Sequence, residues 1–319
     1  MEPPMIIRVC DLETTGLDAS DEVIEIGYTD IVKVSGVWSM SSRSEQSFAR
    51  PARPIPPEAS AVHHITDEDV KDAPAWSDAW RLLVQTPDDG GKITFAAHMA
   101  QYERQYLDPL FQADWVCTWK CSFRQWPDFE SHSLQVLRYA LKLPADPKRA
   151  APAHRAPPDS YVCGLLLLEL LQHQTLETLI EWSAQPPIFT KFDFGQFKGK
   201  PLSAADAGYL DWLGNKDHNL GEDWRWNARR EIERRANAKV EEAARARRGY
   251  LEQSLAAIPG AVSVRDLENW WHGQSDHWAA HGILVDSKEY EMLRKACADR
   301  KQHLLRTGEP QFEPPGAST

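Results

Sequence analysis

A short apolar run near the N-terminus leads directly into an acidic motif, and this junction limits the possible folds more than any other part of the chain. The run Met5-Ile6-Ile7-Arg8-Val9-Cys10 is too short for most helices and rich in β-branched residues, which predicts a buried strand. It continues as Asp11-Leu12-Glu13-Thr14-Thr15-Gly16, and side chains two residues apart in a strand point to the same face. The sequence therefore places the carboxylates of Asp11 and Glu13 side by side.

Two carboxylates on one strand face indicate a site for a hard divalent cation. Like charges held this close repel each other unless a cation lies between them, and carboxylate oxygens are ligands that Mg²⁺ or Mn²⁺ accepts. Acidic residues are also common at solvated strand ends, and Gly16 would suit the turn that follows such an end. The rest of the chain favours the metal site over the solvated turn.

Length and charge narrow the class of protein. A chain of 319 residues is long enough for one domain with a full core plus additional material. The net charge of −11 argues against a protein that coats nucleic acid along its whole surface, but not against an enzyme that grips a strand end locally.

Cysteine usage and hydropathy indicate the compartment. Five scattered cysteines without a CxxC pair are typical of buried thiols in a reduced compartment, not of disulfides or a zinc site. No signal peptide is visible, and the longest apolar run, residues 165–171, is too short to span a bilayer. We therefore expect a cytoplasmic protein with no membrane partner.

The pattern after the acidic motif predicts a meander of strands. Residues 22–34 and 44–48 supply the second and third strands. Residues 92–97 predict another strand, and a helix that begins at His98 then carries Glu103 near the carboxyl end of that strand. Residues 115–119 predict a further strand, and residues 134–143 a helix.

A proline-rich loop precedes the most apolar helix of the chain. The loop covers residues 144–158 and the helix is predicted over residues 160–173, which places His154 on a flexible segment and Asp159 on a rigid one. A fixed aspartate and a mobile histidine suit a metal-dependent hydrolase. The aspartate can hold the ion, and the histidine can take a proton from water.

Four segments, in this order, resemble the three exonuclease motifs of the DEDDh family, which includes polymerase proofreading subunits. They are Asp11-Leu12-Glu13-Thr14-Thr15-Gly16, Val62-His63-x-Ile65-Thr66, His98-x-Ala100-x-Tyr102-Glu103 and His154-x4-Asp159. The resemblance covers about the first 180 residues. It implies an α/β ribonuclease H-like fold, in which helices flank a mixed central β-sheet, and two divalent ions, Mg²⁺ or Mn²⁺, at the site.

The resemblance also implies roles for particular residues. Asp11, Glu13 and Asp159 would hold one ion, and Asp11 would bridge to the second. Glu103 would hold the second ion through water, and His154 would be the general base. Two divalent ions about 3.5–4 Å apart can activate water and stabilise the leaving 3′ oxygen of a phosphodiester.

Further positions are implied to contact substrate, and two depart from the family pattern. Leu17 and His63 would pack against the terminal nucleotides, while main-chain groups of Thr14 and Thr15 would meet the 3′ end. Met99 stands in the substrate-binding region where an asparagine is common. Glu103 stands where the family usually has an aspartate, which is one methylene shorter.

Four further segments, two within the first domain and two beyond it, resemble the bacterial exodeoxyribonuclease X group of this family. They are residues 115–120, 124–127, 192–202 and 208–213. We predict an exonuclease domain over residues 1–182, a small α+β module with a long helix over residues 188–257, and a helical extension over residues 258–319. The tail from Thr307 onward is predicted to be disordered.

Two features of the C-terminal half have alternative interpretations. Phe192, Phe194 and Phe197 suggest a hairpin that either stacks on single strands or forms a miniature core with solvated lysines. Between residues 222 and 250, nine Lys/Arg accompany six Asp/Glu. This composition fits a solvated helix with i,i+4 pairs, or a surface on which Arg229, Arg230, Arg234 and Arg235 hold duplex DNA.

The leading hypothesis is a metal-dependent 3′–5′ exodeoxyribonuclease. It would release nucleoside 5′-monophosphates from single- or double-stranded DNA 3′ ends in repair or recombination, with repair proteins as partners. One alternative is a 3′–5′ exoribonuclease of the same family. Another is a nucleic-acid-binding accessory protein whose nuclease site has decayed.

Overall fold

The computed structural model describes residues 5–18, 20–85, 92–215 and 220–308. The five described strands form one sheet in the order β3-β2-β1-β4-β5. Their bounds are β1 Met5–Thr14, β2 Val23–Val34, β3 Val37–Phe48, β4 Ile93–Ala97 and β5 Trp115–Cys117.

The sheet is mixed. β2 runs antiparallel to both β1 and β3, whereas β4 runs parallel to β1 and to β5. A three-strand antiparallel meander joined to two parallel strands is the arrangement expected of a ribonuclease H-like fold, so the predicted fold class is confirmed. Strand β1 continues to Thr14, and Asp11 and Glu13 therefore lie within the strand.

The first compact unit, Met1–Arg229, contains the sheet and most of the described helices. Their bounds are α1 Pro57–His63, α2 Asp67–Val70, α3 Trp76–Ala79, α4 Gln101–Leu107, α5 Thr118–Gln125, α6 Leu134–Ala140, α7 Ala156–His173, α8 Leu176–Ala184 and α9 Ala207–Asn215. Thr66 and Asp69 form a capping box at the start of α2.

Helices pack on both faces of the sheet. Ile7 and Val9 of β1 belong to a core that includes Leu166 of α7, while Cys10 and Leu12 belong to a second core that includes Leu107 of α4. Because alternate residues of a strand point to opposite faces, Asp11 and Glu13 continue the row of Ile7 and Val9. The acidic pair therefore lies on the face that α7 covers.

Several predicted element boundaries are wrong. Strand β3 begins at Val37 and not at residue 44, and helix α6 ends at Ala140 and not at residue 143. Helix α4 begins at Gln101, after Met99 adopts a left-handed backbone conformation with φ 65°. Strand β5 ends at Cys117, where α5 begins. Helix α7 begins at Ala156, because its first turn accommodates Pro157 and Pro158, whose missing N–H groups would have no helical partner there.

The segment after α8 forms a small aromatic core. Phe192 is buried, stacks on Trp224 at 5.6 Å between ring centroids, and meets Tyr209 edge-on. The predicted hairpin is replaced by two isolated bridges, Lys191 to Pro201 and Phe192 to Lys198, around a 3₁₀ turn over Gly195–Phe197. Lys191, Lys198 and Lys200 are exposed, which matches the miniature-core interpretation.

The second compact unit, Arg230–Thr319, is helical in its described part. It contains most of α10 Gly221–Ala257, followed by α11 Val264–Gly273, α12 Ser275–Ala280 and α13 Lys288–Thr307. Trp278 and Leu293 are buried at its centre, and Trp270 and Trp271 pack against them. The predicted tail lies outside the described residues from position 309 onward, and the three-segment division stays a prediction.

Two general expectations can be compared with the structure. All five cysteines are free and buried, as predicted. Among the described helices, none combines the length and the apolar character needed to cross a bilayer.

Candidate active site

Three carboxylates converge where the end of β1 meets the start of α7. Ligand oxygens of Asp11, Glu13 and Asp159 all lie within 4.8 Å of one another. Asp11 and Glu13 are half-buried and Asp159 is buried. The strand and the helix thus bring together side chains that are almost 150 positions apart in the sequence.

The electrostatics of this cluster strongly favour protonated carboxyl groups. Burial, followed by the charges of Glu13 and Asp159, raises the pKa of Asp11 well above its ordinary value. Burial and Asp159 raise the pKa of Glu13 to about 8, and burial also raises the pKa of Asp159. Ionised together, these groups would repel one another, so a divalent cation among them would remove the conflict.

Glu103 lies outside this group of three but interacts with it. It is buried in the first turn of α4, and its charge is among those that raise the pKa of Asp11. Burial, with a smaller effect of Glu13, raises its own pKa to about 8. Its buried Oε2 has no hydrogen-bond partner among the described residues. An oxygen left unsatisfied beside three other carboxylates fits the second shell or second ion of a divalent-metal site.

Neighbouring groups hold the Asp159 carboxylate in place. The side-chain amide of Gln135 in α6 donates to Oδ1 at 2.9 Å, and the backbone N–H of His154 donates to Oδ2 at 2.7 Å. Sequence reasoning missed Gln135, because a glutamine on a short amphipathic helix carries no pattern that distinguishes it.

An ion pair between the half-buried Arg155 and the buried Glu25 fixes the start of α7 on the sheet. The guanidinium of Arg155 donates to Glu25 of β2 at 2.9 Å and 2.5 Å, and the backbone N–H of Ala156 donates to the same carboxylate at 2.9 Å. Gly27 lies beneath, where a Cβ atom would come within 2.4 Å of the Ala156 backbone. Sequence reasoning also missed this pair, although a charged residue inside the apolar strand Val23-Ile24-Glu25-Ile26 was a signal that a buried partner exists.

His154 lies just before α7 with an exposed side chain. Its backbone is left-handed, with φ 58°, a conformation in which histidine is among the more frequent non-glycine residues. Its imidazole lines the same cavity as Asp11 and Asp159. It is therefore within the site, while its role as a base stays a prediction.

The predicted substrate-binding positions lie in different environments. The Thr14 hydroxyl donates to Gly16 O at 2.6 Å and the Thr15 hydroxyl to Asp21 at 3.0 Å, so both side chains are engaged within the protein. Leu17, by contrast, is 86% exposed beside them, the largest exposed fraction among the described large apolar side chains.

His63 and Met99 complete this set. His63 is buried and its Nδ1 accepts the Ile65 N–H at 3.0 Å, while its neighbour His64 is exposed. Burial lowers the pKa of His63. Met99 is half exposed at the end of β4 and lines the cavity.

His98, which belongs to one of the four motif segments, is hydrogen-bonded within the protein through both ring nitrogens. Its Nε2 donates to the His132 carbonyl at 2.9 Å, and its Nδ1 contacts the Thr118 hydroxyl at 3.0 Å. Burial lowers its pKa to about 4, so the ring is neutral near pH 7. With both nitrogens engaged, His98 connects the end of β4 to the first residue of α5 and to the loop before α6.

The acidic cluster opens into a cavity of about 1170 Å³. Half-buried rings of Trp119, Phe123 and Phe129 form part of its wall. Its charged lining beyond the cluster includes Lys191 and Lys198 but also Glu130, Asp193, Glu222 and Asp223. The outer part of this cavity is therefore not basic.

Comparison with known proteins adds independent findings. A model of the exonuclease family (RNase T) matches residues 9–167. Exodeoxyribonuclease 10 of Escherichia coli strain K12 is 31% identical over 233 residues, which cover 72% of this chain and 99% of that protein. DNA polymerase III subunit epsilon of Treponema pallidum is 28% identical over 177 residues, covering 51% and 75% of the two chains. A solved structure of exonuclease X in complex with 5′ overhanging duplex DNA has 28% identity and a TM-score of 0.47, covering 56% of this chain and 99% of that one.

Proposed function

This chain belongs to the DEDDh type of 3′–5′ exonuclease, an enzyme family that acts on nucleic acid, and we propose that its substrate is DNA. The proposed reaction is hydrolysis of the terminal phosphodiester at a 3′ end, with release of a nucleoside 5′-monophosphate. Similarity that covers 99% of a protein named exodeoxyribonuclease 10 supports the choice of DNA.

One observation carries the catalytic proposal. Asp11, Glu13 and Asp159 lie within 4.8 Å of one another, in an environment that raises the pKa of each. Carboxylates whose pKa values are raised in this way are suited to bind a divalent cation, since the cation stabilises their charged form.

The proposed metal ligands are Asp11, Glu13 and Asp159, with Glu103 acting through water. Two divalent ions, Mg²⁺ or Mn²⁺, would supply Lewis acidity to the attacking water and to the leaving 3′ oxygen. The chain's own part is to fix the carboxylates. Gln135 and the His154 N–H orient Asp159, and the Arg155–Glu25 pair sets the position of the helix that carries it.

His154 is proposed to accept the proton of the attacking water. Its imidazole is exposed to the cavity and stands next to Asp159 in the fold. Imidazole is the side chain that enzymes most often use as a general base.

The substrate end is proposed to lie against the end of β1. Main-chain groups of Thr14 and Thr15 would meet the 3′ nucleotide, since both hydroxyls are already bonded within the protein. Leu17, His63 and Met99 would contact the terminal bases and sugars, and the exposed apolar side chain of Leu17 suits packing against a base. We assign the enzyme to DNA repair or recombination in the cytoplasm, with repair proteins as partners, on the resemblance alone.

The test compares matched 5′-labelled DNA and RNA oligonucleotides, with Mg²⁺, Mn²⁺ or a chelator, for wild type and Asp11→Ala. We expect a shortening ladder on DNA that requires both metal and Asp11. A faster ladder on RNA would make the chain an exoribonuclease. If folded protein supplied with metal gave no ladder on either the DNA or the RNA oligonucleotide, the result would favour a nucleic-acid-binding protein with a decayed nuclease site.

A further inference from the structure

A second cavity, of about 330 Å³, lies between the edge strand β3 and the segment that leads into α7. The side chains that matter here are Ser44 and Gln46 of β3, Lys148, Arg149 and Arg155 of the loop, and Tyr161 of α7. No carboxylate is among the described residues that line it. This is the opposite of the larger cavity, whose outer wall carries four acidic side chains.

Two of its three cations are uncompensated. Lys148 and Arg149 are exposed, and neither side chain forms an ion pair within the described part of the chain. Asp146 is nearby, but its carboxylate accepts the backbone N–H groups of these two residues at 2.8 Å and 3.4 Å. The Arg149 guanidinium lies 4.0 Å from the ring centroid of Tyr161, which restrains it without neutralising its charge.

The third cation links this cavity to the acidic cluster. Arg155 lines the cavity and at the same time pairs with Glu25, and Glu25 stands opposite Glu13 in the register of β1 and β2. The loop that carries Lys148 and Arg149 also carries His154. The basic cavity and the proposed catalytic carboxylates therefore lie on either side of one arginine.

We propose that this cavity binds a second backbone phosphate of the nucleic-acid substrate, distinct from the phosphate that is hydrolysed. The inference rests on the proposed function, since it assigns the anion to the nucleic acid whose strand end lies at Asp11. Guanidinium and ammonium groups bind phosphate oxygens, and hydroxyl and amide groups such as those of Ser44 and Gln46 commonly add hydrogen bonds. On a chain with a net charge of −11, a carboxylate-free pocket with two free cations is a specific place for a polyanion to be held.

The test is the double variant K148Q/R149Q, read by binding of a labelled DNA oligonucleotide. Ca²⁺ replaces Mg²⁺ so that hydrolysis does not interfere, and the salt concentration is varied. We expect the dissociation constant to rise roughly tenfold. The negative slope of log affinity against log salt should become less steep by about 1, because one phosphate contact is lost. Single-stranded and recessed duplex oligonucleotides tell whether the phosphate belongs to the cleaved strand or to its complement.

The matched control is R81Q/K92Q, which removes the same charge from the same compact unit. Both control cations are already paired, Arg81 with Asp78 and Lys92 with Asp114, so we expect a much smaller change. A dissociation constant and salt slope for K148Q/R149Q equal to those of the control, on both kinds of DNA, would overturn the inference.

A second readout separates this inference from the proposed function. The p-nitrophenyl ester of thymidine 5′-monophosphate has only one phosphate, so K148Q/R149Q should hydrolyse it with unchanged kcat/KM. A parallel loss on this ester would place the two residues in the catalytic machinery and contradict a separate phosphate site. If wild-type protein binds DNA but hydrolyses neither substrate, the nuclease proposal fails while the binding comparison still decides the phosphate site.

Discussion

The carboxylates of the site work against the stability of the metal-free protein. Glu13 and Glu103 have pKa values raised to about 8, against about 4.3 in an unfolded chain, so the folded state binds more protons than the unfolded state between these values. Stability from these groups is therefore greatest at low pH and is lost as pH rises through about 8. A divalent cation, which favours the ionised form, would reverse this loss.

We predict that chelated wild-type protein unfolds at a lower temperature at about pH 8 than at about pH 7, and that Mg²⁺ removes most of the difference. The upper pH stays below about 8.5, the ordinary pKa of a thiol, because burial raises the pKa of the cysteines and their ionisation would lower stability at higher pH whether or not metal is bound. In this range the buried His98 and His132, whose pKa values are lowered to about 4, are neutral when folded and largely neutral when unfolded. Thermal unfolding with chelator or Mg²⁺ checks this. Glu13→Gln should show a smaller pH effect, and an unfolding temperature insensitive to Mg²⁺ at both pH values would contradict the account.

The backbone conformation of Met99 also lowers the stability of the folded protein. Its φ of 65° is left-handed, which disfavours most side chains by roughly 1–2 kcal/mol but is tolerated by asparagine. Asparagine, the residue that the family resemblance implies at this position, would suit this backbone conformation. The departure from the family pattern is thus a source of strain in addition to a changed contact.

We predict that Met99→Asn raises the free energy of unfolding by about 1 kcal/mol and retains nuclease activity. Met99→Leu is the matched control, because leucine keeps an apolar side chain and the same backbone penalty. Chemical denaturation of the three proteins gives the comparison. Equal stability of the asparagine and leucine variants would mean that the left-handed backbone is not what costs free energy here.

At the scale of elements, the site depends on how closely α7 approaches β2. Gly27 permits this approach, since a Cβ there would meet the Ala156 and Pro157 backbone at 2.4 Å. Any side chain must push the start of α7, and with it Asp159, away from β1. Because metal ligation and catalysis depend on sub-ångström placement, activity should suffer more than stability.

We predict that Gly27→Ala destabilises the protein by about 1–3 kcal/mol and lowers kcat roughly 100-fold. Gly249→Ala in α10 is the control, since no atom lies within 4 Å of its added Cβ and helical alanine is favoured over glycine by about 1 kcal/mol. Unfolding curves and rates on one DNA strand are compared. A Gly27→Ala enzyme with wild-type kcat would show that the close approach does not position Asp159.

Much of this arrangement could be predicted from local sequence, and the remainder depends on distant contacts. The period of two placed Asp11 and Glu13 on one face, and the motif order predicted the ribonuclease H-like sheet. The start of α7 was predicted four residues late, because a pair of prolines indicates a loop unless they occupy a first turn. Gln135 and the Arg155–Glu25 pair were missed, because partners more than twenty positions apart leave no periodic signal.

At the scale of the whole molecule, four of the nine positive charges of α10 form ion pairs within the helix. Arg234 and Arg235 both bind Glu231, and Arg225 binds Glu222, at spacings of three or four residues. Such pairing is typical of a solvated helix. It favours the first of the two interpretations of this segment, and the hypothesis that Arg229, Arg230, Arg234 and Arg235 hold duplex DNA stays a prediction.

The central claim for the molecule is that Asp11, Glu13, Asp159 and Glu103 together hold the divalent ions that strand hydrolysis requires. The most direct measurement is a Mn²⁺ titration followed by electron paramagnetic resonance, with hydrolysis of a labelled DNA strand measured at each metal concentration, for wild type and Asp11→Asn. We predict two bound ions per wild-type chain, turnover that rises with their occupancy, and loss of both binding and turnover in the variant. An Asp11→Asn protein that binds as many ions as tightly as wild type and still shortens the strand would contradict the account.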